Sequence, residues 1–524
     1  MVQRSWWREG VFYQIYPRSY QDSNGDGVGD LKGIVQRLDH LNGRPDSLGI
    51  DAIWLSPFYP SPMADFGYDV SDYKGVDPIF GSLDDADKLL DEAHRRGIKV
   101  IVDLVPNHTS DRHPWFASAR SSRTDPKREW YVWADPAKDG GPPNNWRAVF
   151  GEKRSAWTLD PTTGQYYLHH FLPEQPDLNW WNEDVRGAMD DVLRFWLDRG
   201  ADGFRIDVAH SLVKDQRLRS NARLGGDRDP AAMNWDLDEV HEIHRRWRRV
   251  LDSYTDRMAV SEVFAVDDVL PFDLRRLVRY YGNDDELHMP FNFQFLEQPW
   301  TAEAFRGVVE EWERLLPEHA WPDYTLSNHD RSRAATRYGL HRARVAAMML
   351  LTLRGTPFIY YGEEIGMSDV PITPQRVVDV DGRDPERTPM QWDASANAGF
   401  TTGETWLPMA SDAARVNVAA QRDDPGSLLS FYRRLLRARK DSLALRLGSY
   451  RSLPTAGGVY AFERQADDER LFVALNFTGS ERPVTLPSAD TELVLSTDDE
   501  RTAMPSGSRL VLRPDEGVIV RASR

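Results

Sequence analysis

Three short runs of this sequence end on a carboxylate. Asp207 closes the apolar stretch GFRIDVAH (203–210), Glu262 falls in SEVF (261–264) and Asp330 in SNHD (327–330). Singly, each is as easily a salt-bridge partner or a helix cap. Arg205 stands two residues before Asp207, and positions i and i+2 of a strand share a face. Its guanidinium is therefore expected to keep Asp207 ionised at neutral pH. An ionised carboxylate beside a second, protonatable one, about 5–5.5 Å away, can displace a leaving group from a sugar carbon and then activate water against the adduct. That is the equipment of a retaining glycosidase.

The runs that carry these acids belong to a longer series. Short β-branched or aromatic stretches recur at 11–20, 50–62, 98–108, 201–210, 258–264, 287–296, 324–330 and 356–366, each stopping at charged or amide residues. Between several of them lie helical patterns. In SLDDADKLLDEAHRRG (82–97), Leu83, Ala86, Leu89, Leu90 and Ala93 keep helical spacing and Gly97 stops it; VRGAMDDVLRFWLDRG (185–200) repeats the design. Strands alternating with helices predict parallel βαβ units, and eight of them predict a (β/α)8 TIM barrel, whose site lies at the carboxyl ends of the strands. Residues 1–104 and 178–444 form the two parts of that barrel. From 105 to 177 helical periodicity gives way to Trp, Pro, Gly and Asn, which predicts an inserted small irregular β domain after strand 3. From 445 to 524 strands alternate with turns, predicting a C-terminal antiparallel β-sandwich.

DSNGDGVGD (22–30) opens like a calcium loop, with Asp22, Asn24 and Asp26 at alternate positions before Gly27. The twelfth position counted from Asp22 is Gly33, where an EF-hand needs Glu, so a structural clip or a metal-free polar turn are the two readings. Bulk composition narrows the class. With 65 Lys+Arg against 82 Asp+Glu, the net charge of −17 argues against a nucleic-acid or anionic-membrane surface. Cysteine is absent, which removes disulfides, thiolate metal sites and Cys nucleophiles. The first twenty residues lack the apolar core of a signal peptide and no apolar run approaches a bilayer span, so a cytoplasmic location is expected. The 18 Trp are mostly expected in packing, a minority as platforms for sugar rings.

With DLVPNH (103–108), GFRIDVAH, EVF, SNHD and QPDLN (175–179), the sequence resembles glycoside hydrolase family 13, the α-amylase superfamily. DFGYDVSDY (65–73) and ERTPMQWD (386–393) place the resemblance in its oligo-1,6-glucosidase and α-glucosidase branch. The resemblance implies that Asp207 is the nucleophile, Glu262 the acid/base and Asp330 a third carboxylate holding the distorted sugar. It implies that His108 and His329 donate to sugar hydroxyls and that Tyr68 offers a stacking face. Asp65 and Arg387 would grip the non-reducing-end glucose, with Phe171 and Gln175 lining the pocket. Asp103 is expected to hold Arg205 rather than do chemistry. Asp22, Asn24, Asp26, the Val28 carbonyl and Asp30 would surround one structural Ca²⁺ or Mg²⁺; no organic cofactor is implied. The expected substrate is a short α-glucoside, the expected assembly a monomer or homodimer. A glucosyl transferase, sucrose isomerase or trehalose-forming mutase would share the same intermediate, and the loop 211–236 would face the acceptor. A non-catalytic transporter-associated heavy chain, the remote alternative, would lack the three acids. Val208 stands where the branch tends to carry Val in α-1,6-acting members and Thr in maltases.

Overall fold

The structure, a computed structural model, describes residues 4–150, 154–221, 232–264, 273–455, 457–486, 488, 490–504 and 507–522. Eight parallel strands make the central sheet: β1 (Phe12–Ile15), β2 (Ala52–Leu55), β3 (Lys99–Leu104), then, after the inserted strands β4–β6, β7 (Gly203–Ile206), β8 (Met258–Ser261), β9 (Met289–Pro290), β10 (Asp323–Thr325) and β11 (Thr356–Tyr360). Their order, β10-β11-β1-β2-β3-β7-β8-β9, brings the last strand of the row round towards the first. At that seam the Asn292 N–H donates to the Asp323 carboxylate at 3.2 Å. The eight runs read from sequence are these eight strands, and the fold is the TIM barrel.

Strand alternation explains why the polar residues gather at one end. Phe12, Trp54, Ile101, Met258 and Val260 point inward and form an apolar plug with Phe291 and Phe358. Two or four residues further along the same faces stand Gln14, Asp103, Arg205, Asp207 and Glu262. The opposite faces, such as Tyr13, Ile15, Ile53, Val100 and Val102, pack under the helices. The helix Leu83–Arg95 buries Ala86, Leu89, Leu90 and Ala93, and a capping box of Ser82 and Asp85 fixes its start.

In the insertion, β4 (Trp133–Ala134), β5 (Trp157–Asp160) and β6 (Gln165–Leu168) form an antiparallel sheet in the order β4-β6-β5. It also holds a helix, Pro114–Ser121, where the sequence reading placed none. Eight residues are too few to display a helical period. Its start is fixed by Pro114 in the first turn and by His113 Nδ1, which accepts from the Trp115 N–H.

Beyond the helix Leu443–Leu447, strands β12 (Ser449–Leu453), β13 (Val459–Ala466), β14 (Glu469–Asn476), β16 (Thr491–Ser496) and β18 (Gly517–Ala522) form one antiparallel sheet, and β15 (Arg482–Thr485) pairs with β17 (Arg509–Leu512). Val459, Ala461, Phe472, Ala474, Val518 and Val520 pack against Val484, Leu510 and Leu512 of the smaller sheet. The other face of the large sheet, with Tyr460, Phe462, Leu471, Val473 and Ile519, joins the core of the barrel's helical layer. Among the described residues no helix is long and apolar enough to cross a membrane.

Candidate active site

Arg205 is the hub of the strand-end cluster. Its Nη1 donates to Asp103 Oδ1 at 2.9 Å and to Asp207 Oδ1 at 2.6 Å, and its Nη2 to Glu262 Oε2 at 2.6 Å. Asp103 and Arg205 are direct partners in the β3–β7 ladder, so the pairing is built into strand register. Asp103 is fully buried and also accepts from Trp54 Nε1 and the Tyr68 hydroxyl, each at 3.1 Å. That is a structural post.

The electrostatics correct one expectation. One guanidinium shared by three carboxylates does not hold Asp207 low. Burial pushes the Asp207 carboxyl well above the usual range; Arg205 pulls against it, while Glu262 and Asp103 push the same way as burial. Burial likewise lifts Asp103 to about 6 against Arg205.

Across the pocket the balance reverses. Asp330 Oδ1 accepts from Arg387 Nη2 at 2.9 Å and Arg383 Nη1 at 3.1 Å. Burial acts to raise this carboxyl, but His329, Arg383 and Arg387 outweigh it and hold it well below the ordinary range. Asp65 is held by a residue that the sequence reading does not single out. Asp65 Oδ1 accepts from Arg383 Nη2 at 2.6 Å, and no hydrogen bond joins it to Arg387. Arg387 instead donates through Nε to the His329 carbonyl at 2.7 Å and through Nη1 to Asp379 at 3.4 Å. Asp379 also takes Arg383 at 2.6 Å. Sequence reading missed Arg383 and Asp379; the signal was the alternation of acids and arginines in DVDGRDPER (379–387), with two Arg four residues apart.

The remaining predicted residues join the same network. Gln175 Nε2 lies 2.9 Å from Asp65 Oδ2 and 3.1 Å from His108 Nε2. The Phe171 ring sits 5.2 Å from His108, in a small apolar cluster with Val208 and Trp235. Tyr68 stacks on His329 with ring centres 5.3 Å apart and its hydroxyl 2.6 Å from His329 Nε2. Burial holds the His108 imidazole down at about 4 and that of His329 at about 3, so both are neutral hydrogen-bonding groups. Val208, next to Asp207, has φ +44°, a left-handed conformation that a β-branched residue adopts only under constraint. The Ala209 N–H on the Glu262 carbonyl, at 2.9 Å, helps impose it.

The loop 22–30 lies apart from this pocket's hydrogen-bond network. Asp22 Oδ1 accepts from the Asn24 and Gly25 N–H groups, both at 2.8 Å, and Oδ2 from Gly27 N–H and the Thr401 hydroxyl. Asn24 and Asp26 repeat this turn towards Asp26 N–H and Val28 N–H. Asp30 holds Ser23 and caps the helix Leu31–Leu41 through Gly33 N–H. A Cβ on Gly27 (φ +89°) would lie 1.7 Å from the Glu404 carbonyl, so the loop is pressed against the segment around 400–405. These are hard oxygen donors, the type that Ca²⁺ and Mg²⁺ take. Among the described residues the three carboxylates do not bring their oxygens within 4.8 Å of one another.

A barrel with paired carboxylates at its strand ends has the equipment of a glycoside hydrolase, and known proteins name the family. The α-amylase catalytic domain family matches residues 14–448, and the C-terminal domain family of the α-amylase SusG matches 459–519. A probable α-glucosidase of Rhizobium meliloti (strain 1021) is 43% identical over 515 residues, covering 92% of this chain and 91% of its own. An oligo-1,6-glucosidase of Heyndrickxia coagulans is 38% identical, over 98% of this chain and 99% of its own. A crystal structure of the α-glucosyl transfer enzyme XgtA superposes with a TM-score of 0.92 at 40% identity, over 99% of this chain and 100% of that one. The chain belongs to the α-amylase family of glycoside hydrolases, glycoside hydrolase family 13, in the branch of oligo-1,6-glucosidases and α-glucosidases.

Proposed function

We propose that this α-glucosidase is an exo-acting, retaining enzyme for short α-glucosides such as maltose, sucrose and isomalto- or malto-oligosaccharides. The observation that carries the reading is the sharing of Arg205: Asp207 and Glu262 hang from the two arms of one guanidinium. That favours the close spacing of a nucleophile and an acid/base over the ~6.5–9.5 Å that leaves room for water between them. An Asp207 oxygen attacks the anomeric carbon as Glu262 gives its proton to the departing oxygen. The resulting β-glucosyl ester is then opened by water, which yields its proton to Glu262. Positive charge developing on the sugar ring favours ionised Asp207 and Asp330. Asp65, held by Arg383 and Gln175, supports a pocket closed at its far end, and therefore exo action. The name of XgtA supports a second outcome, with a sugar in place of water as the attacking group. The acceptor would meet the 211–236 loop, of which 222–231 lie outside the described residues.

Maltose, isomaltose, sucrose and trehalose, incubated separately with the protein and followed by NMR from the first seconds, test this. Initial α-glucose is expected; initial β-glucose overturns the double displacement, and predominant isomerised or elongated products select the transfer reading.

We also infer that the 22–30 loop binds one Ca²⁺ or Mg²⁺ through Asp22, Asn24, Asp26, the Val28 carbonyl and Asp30, as a structural clip with no chemical part. Chelation should then lower the melting temperature. Purified protein with no divalent metal, and no thermal shift on adding either ion, would sink it. A cytoplasmic monomer or homodimer completes the reading.

A further inference from the structure

We propose that Gln14 is a positioning residue that fixes the tautomer of His329 and thereby orients a hydrogen-bond chain across the floor of the pocket. The proposal rests on the sugar-binding role given above to His329 and Asp330.

Gln14 is buried on β1, on the inward face two residues beyond Phe12. Its Nε2 lies 2.8 Å from His329 Nδ1 and 3.2 Å from Ser56 Oγ. The other imidazole nitrogen, His329 Nε2, is 2.6 Å from the Tyr68 hydroxyl and 3.2 Å from Asp330 Oδ2. The Tyr68 hydroxyl in turn is 3.1 Å from Asp103 Oδ2.

The direction of this chain follows from its ends. Ionised carboxylates only accept. If Nε2 carried no proton, its lone pair would face Asp330, and the single Tyr68 proton would turn to Nε2 and leave Asp103. With the proton on Nε2, every contact is donor to acceptor: Gln14 N–H to Nδ1, Nε2–H to Tyr68 and Asp330, Tyr68 O–H to Asp103. A neutral imidazole has one proton to place, and the Gln14 amide donor reserves Nδ1 as an acceptor. Protonating both nitrogens is opposed on balance. Burial and the cations Arg387, Arg205 and Arg383 act against a charged ring, and only Asp330 pulls for it. Nε2–H is thus kept as a donor towards the side of the ring where Asp330 stands. A sugar hydroxyl arriving there meets a donor already in place.

Two variants separate this from packing. Gln14→Leu keeps the volume and removes the donor. Its kcat on maltose should fall about 10–100-fold, with KM moving far less, because hydrogen bonds to the sugar strengthen in the transition state. Gln14→Glu should show a pH signature. At acid pH an extra proton shared between Glu and Nδ1 keeps Nε2–H. As pH rises that proton leaves, the carboxylate draws the remaining one to Nδ1, and the variant-to-wild-type rate ratio should fall at least about tenfold. Wild-type kcat in Gln14→Leu, or a ratio flat with pH in Gln14→Glu, would overturn the proposal. If Gln14→Leu does not fold, the Glu variant decides alone. Independently of any activity, ¹⁵N-histidine NMR of the wild type, with His329 assigned by its His329→Gln variant, should show a protonated Nε2 and bare Nδ1. The opposite pattern refutes the tautomer even if the glucosidase reading stands. Failure of that reading would instead leave the NMR result intact.

Discussion

The two sides of the pocket solve the same problem differently. Around Arg205, one cation serves three carboxylates, Asp103, Asp207 and Glu262. Around Asp330, two cations, Arg383 and Arg387, serve Asp330, Asp65 and Asp379. The under-compensated side holds Asp207 and Asp103 high; across the pocket Asp330 and Asp379 are held low, while burial still lifts Asp65 against Arg383 and Arg387. Burial differs as well: the Asp330 side chain is 26% exposed, that of Asp207 7%. The ratio of cations to anions and the depth of each carboxyl together separate the raised acids from the fixed anions.

Removing an anion from each side gives the sharpest contrast. Asp207→Asn should lower turnover by about 10⁴-fold or more, since an amide cannot attack. It should leave the melting temperature equal or higher, because Arg205 then serves only two carboxylates. Asp330→Asn should destabilise by ~1–3 kcal/mol, since Arg383 and Arg387 lose a charged partner. Calorimetry showing the same stability change for both variants would break the comparison. Next in size, Arg383→Ala should cut kcat/KM on maltose about 10²-fold by freeing Asp65, while longer oligosaccharides lose less. Equal losses on both substrates would show that the pocket's far wall is set elsewhere.

The smallest effect lies outside the pocket and tests whether burial without a compensating charge behaves as argued. Burial holds His113 down at about 3, against 6.5 when exposed. The unfolded chain therefore takes the proton first as pH falls. The stability that neutral His113 contributes is intact above about pH 6.5 and is lost on acidification, at most ~1.4 kcal/mol per pH unit. His113→Asn keeps the cap on Trp115 and removes the titration. Its melting temperature should fall less steeply than wild type between about pH 6.5 and 5; superimposable slopes would exclude His113 from the acid response.

What sequence made legible was whatever is strictly local. Strand runs, inward positions two apart and the acids closing them follow from a period of two, and the motifs named the family. The partner of Asp65 did not follow. Arg383 and Arg387 sit four apart in one loop, and which reaches Asp65 depends on how that loop folds over the barrel. The raised carboxyl of Asp207 was hidden for the same reason. Arg205 and Asp207 are two residues apart in sequence, but the acids competing for Arg205 arrive from β3 and from the end of β8. Gln14 was invisible because an amide on a strand carries no signal until its neighbours are known. The helix Pro114–Ser121 was too short for its periodicity to emerge from a Trp- and Pro-rich stretch.

The double-sided burial of the large C-terminal sheet has a consequence for synthesis. The helix Ala343–Thr352 is buried at every residue from Val345 to Thr352. Part of its cover comes from the last strand, where a Cβ on Gly517 would lie 2.9 Å from Met348 Sδ. This helix joins β10, the strand leading to Asp330, to β11. On the ribosome the chain emerges amino end first, so this part of the cover of that wall is missing until β18 (Gly517–Ala522) has been made. The helix that follows the Asp330 segment therefore gains this part of its cover only with the C-terminal sheet.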